Sequence, residues 1–218
     1  MRRFQAEADY GDSIFRSAIG DNEGSLAAVK RALEWDPNYA PAILTLASFK
    51  YQRRRRAEGR KLLRSLLSLP EATPDLPEII DQAGDFLIDI GAYEEGLALF
   101  QAAAARFPSV AAFHQGVSCC ASHQGLHEEA VAAAERALRL EPDNQKSVND
   151  LGWSLLQAGR HEQARAVLER AVSMDPTDEL ASENLRRCEA GMPGRQGDSS
   201  PARKRPTARQ RRRPKAEQ

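Results

Sequence analysis

Cysteine is scarce: three in 218 residues, two of them adjacent as Cys119 and Cys120. That supply builds no disulfide framework and no paired metal-ligand spacing, which points to a reducing compartment. Long apolar runs are missing as well, and no stretch approaches the roughly 18 apolar residues that a membrane-spanning helix requires. Residues 1–7 read Met-Arg-Arg-Phe-Gln-Ala-Glu, where a secretory signal needs an apolar run. A soluble, cytoplasmic protein with no membrane partner is therefore expected. There is no phosphate-cradling glycine loop, no nucleophile elbow and no paired-histidine metalloprotease motif. His114, Cys119, His123 and His127 are the densest metal-capable set, but only Cys119 and His123 could share a helix face, and no third ligand stands at a recognised spacing. No catalytic residue, no cofactor and no metal are expected.

Net charge is absent only in the sum. The 31 basic and 31 acidic side chains cancel, yet residues 191–218 hold nine Lys or Arg against Asp198 and Glu217, a net +7. Residues 1–190 then carry 22 basic and 29 acidic side chains, a net −7. Within the basic segment Arg203, Lys204, Arg205, Arg209, Arg211, Arg212 and Arg213 stand among Gly, Pro and Ser with nothing apolar to bury, so a disordered basic tail is expected.

What the body has in plenty is repetition. Gly91, Gly125 and Gly159 stand 34 residues apart, as do Ala103, Ala137 and Ala171, and Pro108, Pro142 and Pro176. Gly96, Ala130 and Ala164 keep the same step with small residues, and Gly20, Ser25, Ala32 and Pro37 repeat the internal spacing near the start. Each column has a mechanical reason. The glycines follow apolar, helix-forming stretches and can end a helix in the left-handed conformation without steric cost. The prolines stop a second helix, because the residue before proline is driven from the helical region. The alanines lie seven apart on one face and let a neighbouring helix come close. Each unit is then a helical hairpin that cannot bury its apolar face alone, and stacking buries it.

With a period of 34, a small residue and an aromatic on the second helix and a closing proline, the pattern resembles the tetratricopeptide repeat. The best copy runs 145–178, with Leu151-Gly152, Gly159, Ala164, Leu168, Ala171 and Asp175-Pro176. Copies at 111–144 and 77–110 are close to it; those at 40–73 and 6–39 are more irregular. Pro70, Pro74 and Pro77 surround three extra residues where the stack could kink, and Asp178 can cap a last helix over 179–190. The fold expected is all-α, a solenoid of about five stacked hairpins over 6–190 with a terminal capping helix, followed by the tail 191–218.

The resemblance also implies a concave groove lined by one stripe from each first helix. In the third unit the stripe is Glu78, Asp81, Asp85 and Asp89, like charges that repel at this spacing unless a basic partner offsets them. In the last it is Lys146, Asn149, Asp150, Trp153 and Gln157, where Trp153 either anchors a bound peptide or packs beneath the capping helix. Tyr51 raises the same question in the second unit. Co-chaperones of this family clamp a C-terminal carboxylate with lysines and asparagines, and here only Asn149 fits, among acids that would repel it. The function expected is a non-catalytic adaptor or scaffold that binds a partner peptide or helix, with a basic segment on the partner, in this groove. The rival is a nucleic-acid-associated protein gripping phosphates through its arginine-rich tail. Arg53-Arg54-Arg55-Arg56, with Arg60, Lys61 and Arg64, is either a solvated edge or part of such a surface.

Overall fold

The computed structural model describes residues 1–191. The tail expectations, from Arg203 to Arg213, lie outside the described residues. Within them the chain forms helices α1 (Arg2–Ala18), α2 (Asn22–Trp35), α3 (Ala40–Gln52), α4 (Arg56–Leu66), α5 (Leu76–Asp89), α6 (Tyr93–Arg106), α7 (Ala111–His123), α8 (His127–Leu140), α9 (Gln145–Gln157), α10 (His161–Met174) and α11 (Glu179–Glu189), and no strand. They pair as five hairpins and a final single helix, so the all-α solenoid is observed. Among the described residues no helix is long and apolar enough to cross a membrane.

The turns explain the period. Gly20, Gly91, Gly125 and Gly159 take φ of 85°, 70°, 73° and 73°. In the third hairpin the Gly91 N–H then donates to the Ile88 carbonyl (2.9 Å) and the Ala92 N–H to that of Leu87 (2.7 Å), closing the helix end. The second hairpin has no glycine there. Arg54 holds the left-handed conformation instead, with φ of 59°. It stands 37 residues before Gly91 because three residues are inserted between α4 and α5, which hides it from a search at 34.

That insertion is pinned, not loose. Leu69 and Leu76 at its two ends are buried, and Arg106 of α6 donates to the carbonyls of Leu67 and Leu69, satisfying the end of α4. The stack is centred on Phe100, which is fully buried between Gly84 of α5 and Gly116 of α7. A Cβ added at Gly116 would lie 2.5 Å from the ring, and one at Gly84 would also collide with it. Both glycines therefore exist to let the helices close on an aromatic side chain. At the far end Asp178 caps α11 by accepting from the N–H groups of Leu180 (2.8 Å) and Ala181 (3.3 Å).

Candidate partner-binding groove

The first helices of successive hairpins touch one another, α3 with α5, α5 with α7, α7 with α9 and α9 with α11, and so form one inner layer. Polar bridges tie this layer together: Gln115 to Ser147 (2.8 Å), Ser118 to Ser154 (3.0 Å) and Asn184 to Asn149 (3.1 Å). Buried hydroxyls and amides in such bridges are satisfied and fix the spacing of the helices.

Onto this layer α5 projects Asp81, half-buried, and Asp85. Burial pushes the Asp81 carboxyl up to about 6, and the charges of Asp85 and Glu78 add to the rise while Lys146 opposes it. Asp85 is raised by the same cause, with Lys146 again opposing and Asp89 adding. On α9 burial pushes Asp150 up to about 6, with Asp178 adding and Lys146 opposing. The half-buried Cys119 of α7 lies between them, its thiol pushed up to about 11 by burial and by the charges of Asp150 and Asp85, against Lys146. One lysine thus acts on three aspartates drawn from two hairpins, none of which makes an ion pair among the described residues. Such a site stores unsatisfied negative charge in a partly desolvated setting.

The positions expected to line the groove do not all do so. Tyr51 is buried, its hydroxyl donating to Glu95 and its ring set edge-on to Phe86 at 5.4 Å between centroids. The cause is Gly59 of α4, whose missing side chain leaves a slot for that ring: a Cβ there would lie 2.5 Å from it. Asn149 is also buried, 3% exposed, and accepts from Asn184 of α11. Trp153 is half-buried and packs against the core cluster that holds Leu151, Leu168 and Cys188. Glu78, Asp85, Asp89 and Lys146 are exposed, so Asp81 and Asp150 are the more enclosed carboxyls of the layer. Asp150, expected in the α9 stripe one turn from Lys146, is half-buried there.

Three arginines of the run Arg53 to Arg56 are held in ion pairs. Arg53 pairs with Glu23, Arg55 with Glu58, and Arg56 with Glu95 at 3.2 Å. The histidines have other work too: His114 bonds the Pro108 carbonyl (3.0 Å), and His123 stacks on Tyr93 with centroids 3.7 Å apart. Among the described residues no three His, Cys, Asp or Glu side chains gather as a metal site.

The sequence pattern of the tetratricopeptide repeat matches residues 82–144 and 121–179. Residues 82–179 carry tetratricopeptide repeats. Solved structures agree in fold. A tetratricopeptide repeat protein from Parabacteroides merdae superposes with a TM-score of 0.64 at 15% identity, covering 86% of this chain and 73% of its own. YrrB, described as a TPR protein with an unusual peptide-binding site, gives 0.59 at 17% identity over 82% of this chain and 90% of its own. The first TPR of Spaghetti (RPAP3), bound to the HSP90 peptide SRMEEVD, gives 0.50 at 16% identity over 52% of this chain and 90% of its own. No curated protein matches by sequence.

Proposed function

We propose that this repeat protein is a non-catalytic adaptor whose inner layer holds a Lys- or Arg-rich segment of another polypeptide, extended or helical. One observation carries the reading: Asp81 and Asp150 are both pushed up to about 6, and Lys146 is the cation that acts on both. A bound lysine or arginine would supply the missing counter-charge, and would do so in a setting where charge-assisted hydrogen bonds are strong. The fold neighbours support peptide capture in general, since Spaghetti holds an HSP90 peptide on the same architecture. That peptide, SRMEEVD, is acidic over its second half, and Asp81 and Asp85 would repel it here. The ligand chemistry is therefore the opposite one.

The test is isothermal titration of the full chain with two peptides of equal length, one rich in Lys and Leu at helical spacing, one with Glu in place of Lys. The basic peptide should bind and the acidic one should not. Replacing Asp81 and Asp85 together by Asn should weaken the basic peptide about tenfold or more, the loss of two charge-assisted contacts. Equal binding of both peptides, or no effect of the double substitution, refutes the reading.

A further inference from the structure

Helix α1 has two faces, and the outer one is apolar. Ala6 and Ser13 are buried on the inner side. On the other side Phe4 is 73% exposed, Phe15 63% and Ile19 64%, with Ala8 and Gly11 exposed between them. At about 100° per residue these five fall in a strip roughly 80° wide. Ile14 widens it on one flank. The large side chains alone leave on the order of 500 Å² of apolar surface in water, the size at which a patch on a monomer is usually functional.

The rest of the array explains why the strip is bare. Every later first helix is covered by the second helix of the hairpin before it: α3 by α2, α5 by α4, α7 by α6 and α9 by α8. Among the described residues nothing occupies that place on α1. The opposite end of the stack is closed. There α11 packs on α9 and α10, and its exposed side carries Glu179, Arg186 and Glu189 with Leu180 as its one exposed large apolar side chain. Head-to-tail stacking of two copies would bury the aromatic strip of α1 against those charges, at a high desolvation cost. The surface that matches α1 is another α1.

The strip is also its own complement. Read from either end it runs Phe, small, small, Phe, as Phe4, Ala8, Gly11 and Phe15. Two copies laid antiparallel about a twofold axis place Phe4 of each on Phe15 of the other and Ala8 on Gly11. Gly11 is otherwise unexplained. A Cβ there would meet nothing within 4 Å, and its φ is not positive, so the single chain has no need of a glycine that weakens a helix interior. Between two helices the missing side chain lets the backbones approach. The flanking charges do not oppose this, since Arg3 is paired with Glu7 (3.1 Å), and Arg16 with Asp12 and Asp21 (both 2.9 Å).

We infer that this protein self-associates as a twofold dimer through the outer face of α1. Such an isologous contact closes on itself and builds no filament. Two strips bury on the order of 1,000 Å², the lower bound for a specific interface, so association is expected at micromolar concentration. No residue of the acidic groove lies on α1, so the dimer would present two grooves and bind a two-site partner with avidity.

The experiment is sedimentation velocity and light scattering on the full chain from about 1 to 200 µM, spanning the range expected for so small an interface. The mass should double across that range. Phe15→Glu should stay monomeric throughout with an unchanged helical spectrum, because Phe15 is 63% exposed and belongs to no buried cluster. Mixing Phe4→Glu with Phe15→Lys should restore a heterodimer, since the antiparallel register sets those two positions against each other. A wild-type monomer at the highest concentration, a Phe15→Glu dimer of undiminished strength, or no restoration on mixing would each overturn the inference.

Discussion

Replacing Asp81 by Asn should stabilise the free protein near neutral pH. The carboxyl is held at about 6 against an ordinary 3.8, chiefly by burial. A rise of roughly two units corresponds to about 3 kcal/mol at 1.36 kcal/mol per unit. Asp81 is only half-buried, and solvent screening should leave about 1 kcal/mol of this. The sign follows from proton counting: between 3.8 and about 6 the folded state binds more protons than the unfolded one, so this group's contribution makes stability fall as pH rises through that window, and it stays lower above it. For a chain of this size 1 kcal/mol is about 2–4 °C in Tm. Thermal melts followed at 222 nm should therefore place Asp81→Asn a few degrees above wild type at pH 7 and close to it at pH 4.5. Asp12→Asn serves as the opposite control, since its hydrogen bond with Arg16 holds that carboxyl below the usual range. It should lower Tm at pH 7. If Asp81→Asn leaves Tm unchanged or lowers it at pH 7, the groove carboxylates are well solvated and the charge argument fails.

Four further substitutions bear on the fold. Phe100→Ala removes the ring clasped by Gly84 and Gly116 and should cost about 3–5 kcal/mol in urea unfolding, while Gly116→Ala should also destabilise by driving a methyl into that ring. Arg54→Gly relieves a left-handed arginine and should raise stability by up to about 1 kcal/mol, the relief being partly offset by glycine's greater freedom when unfolded. Asp178→Ala removes the cap of α11 at a cost of about 1 kcal/mol, and hydrogen exchange should quicken in α11 before it does in α7.

Much of this architecture was legible because it repeats. A left-handed glycine every 34 residues and small residues at fixed offsets report backbone geometry directly, and backbone geometry is local. What escaped the sequence depends on distant partners. The place of Tyr51 on α3 leaves groove and core both open, and its depth is set by Gly59 and its hydroxyl by Glu95, 44 residues away. Asn149 was read as a ligand contact, and its amide is taken by Asn184 across the terminal helix. The run Arg53 to Arg56 is legible as the surroundings of a hairpin turn, but the left-handed backbone of Arg54 is not, because no glycine marks it and the insertion moves it three places out of its column. The aspartates of α5 were legible as a charged face; that they share Lys146 with Asp150 of α9 depends on how α5, α7 and α9 pack.

The central claim, that the acidic inner layer receives a basic segment, is tested most directly by backbone NMR during titration with the Lys/Leu peptide at pH 7.5. The expected result is saturable movement of Asp81, Asp85, Cys119, Lys146 and Asp150, with α2 and α10 unmoved. Titration that leaves those five resonances in place, or that moves the outer helices instead, would contradict it.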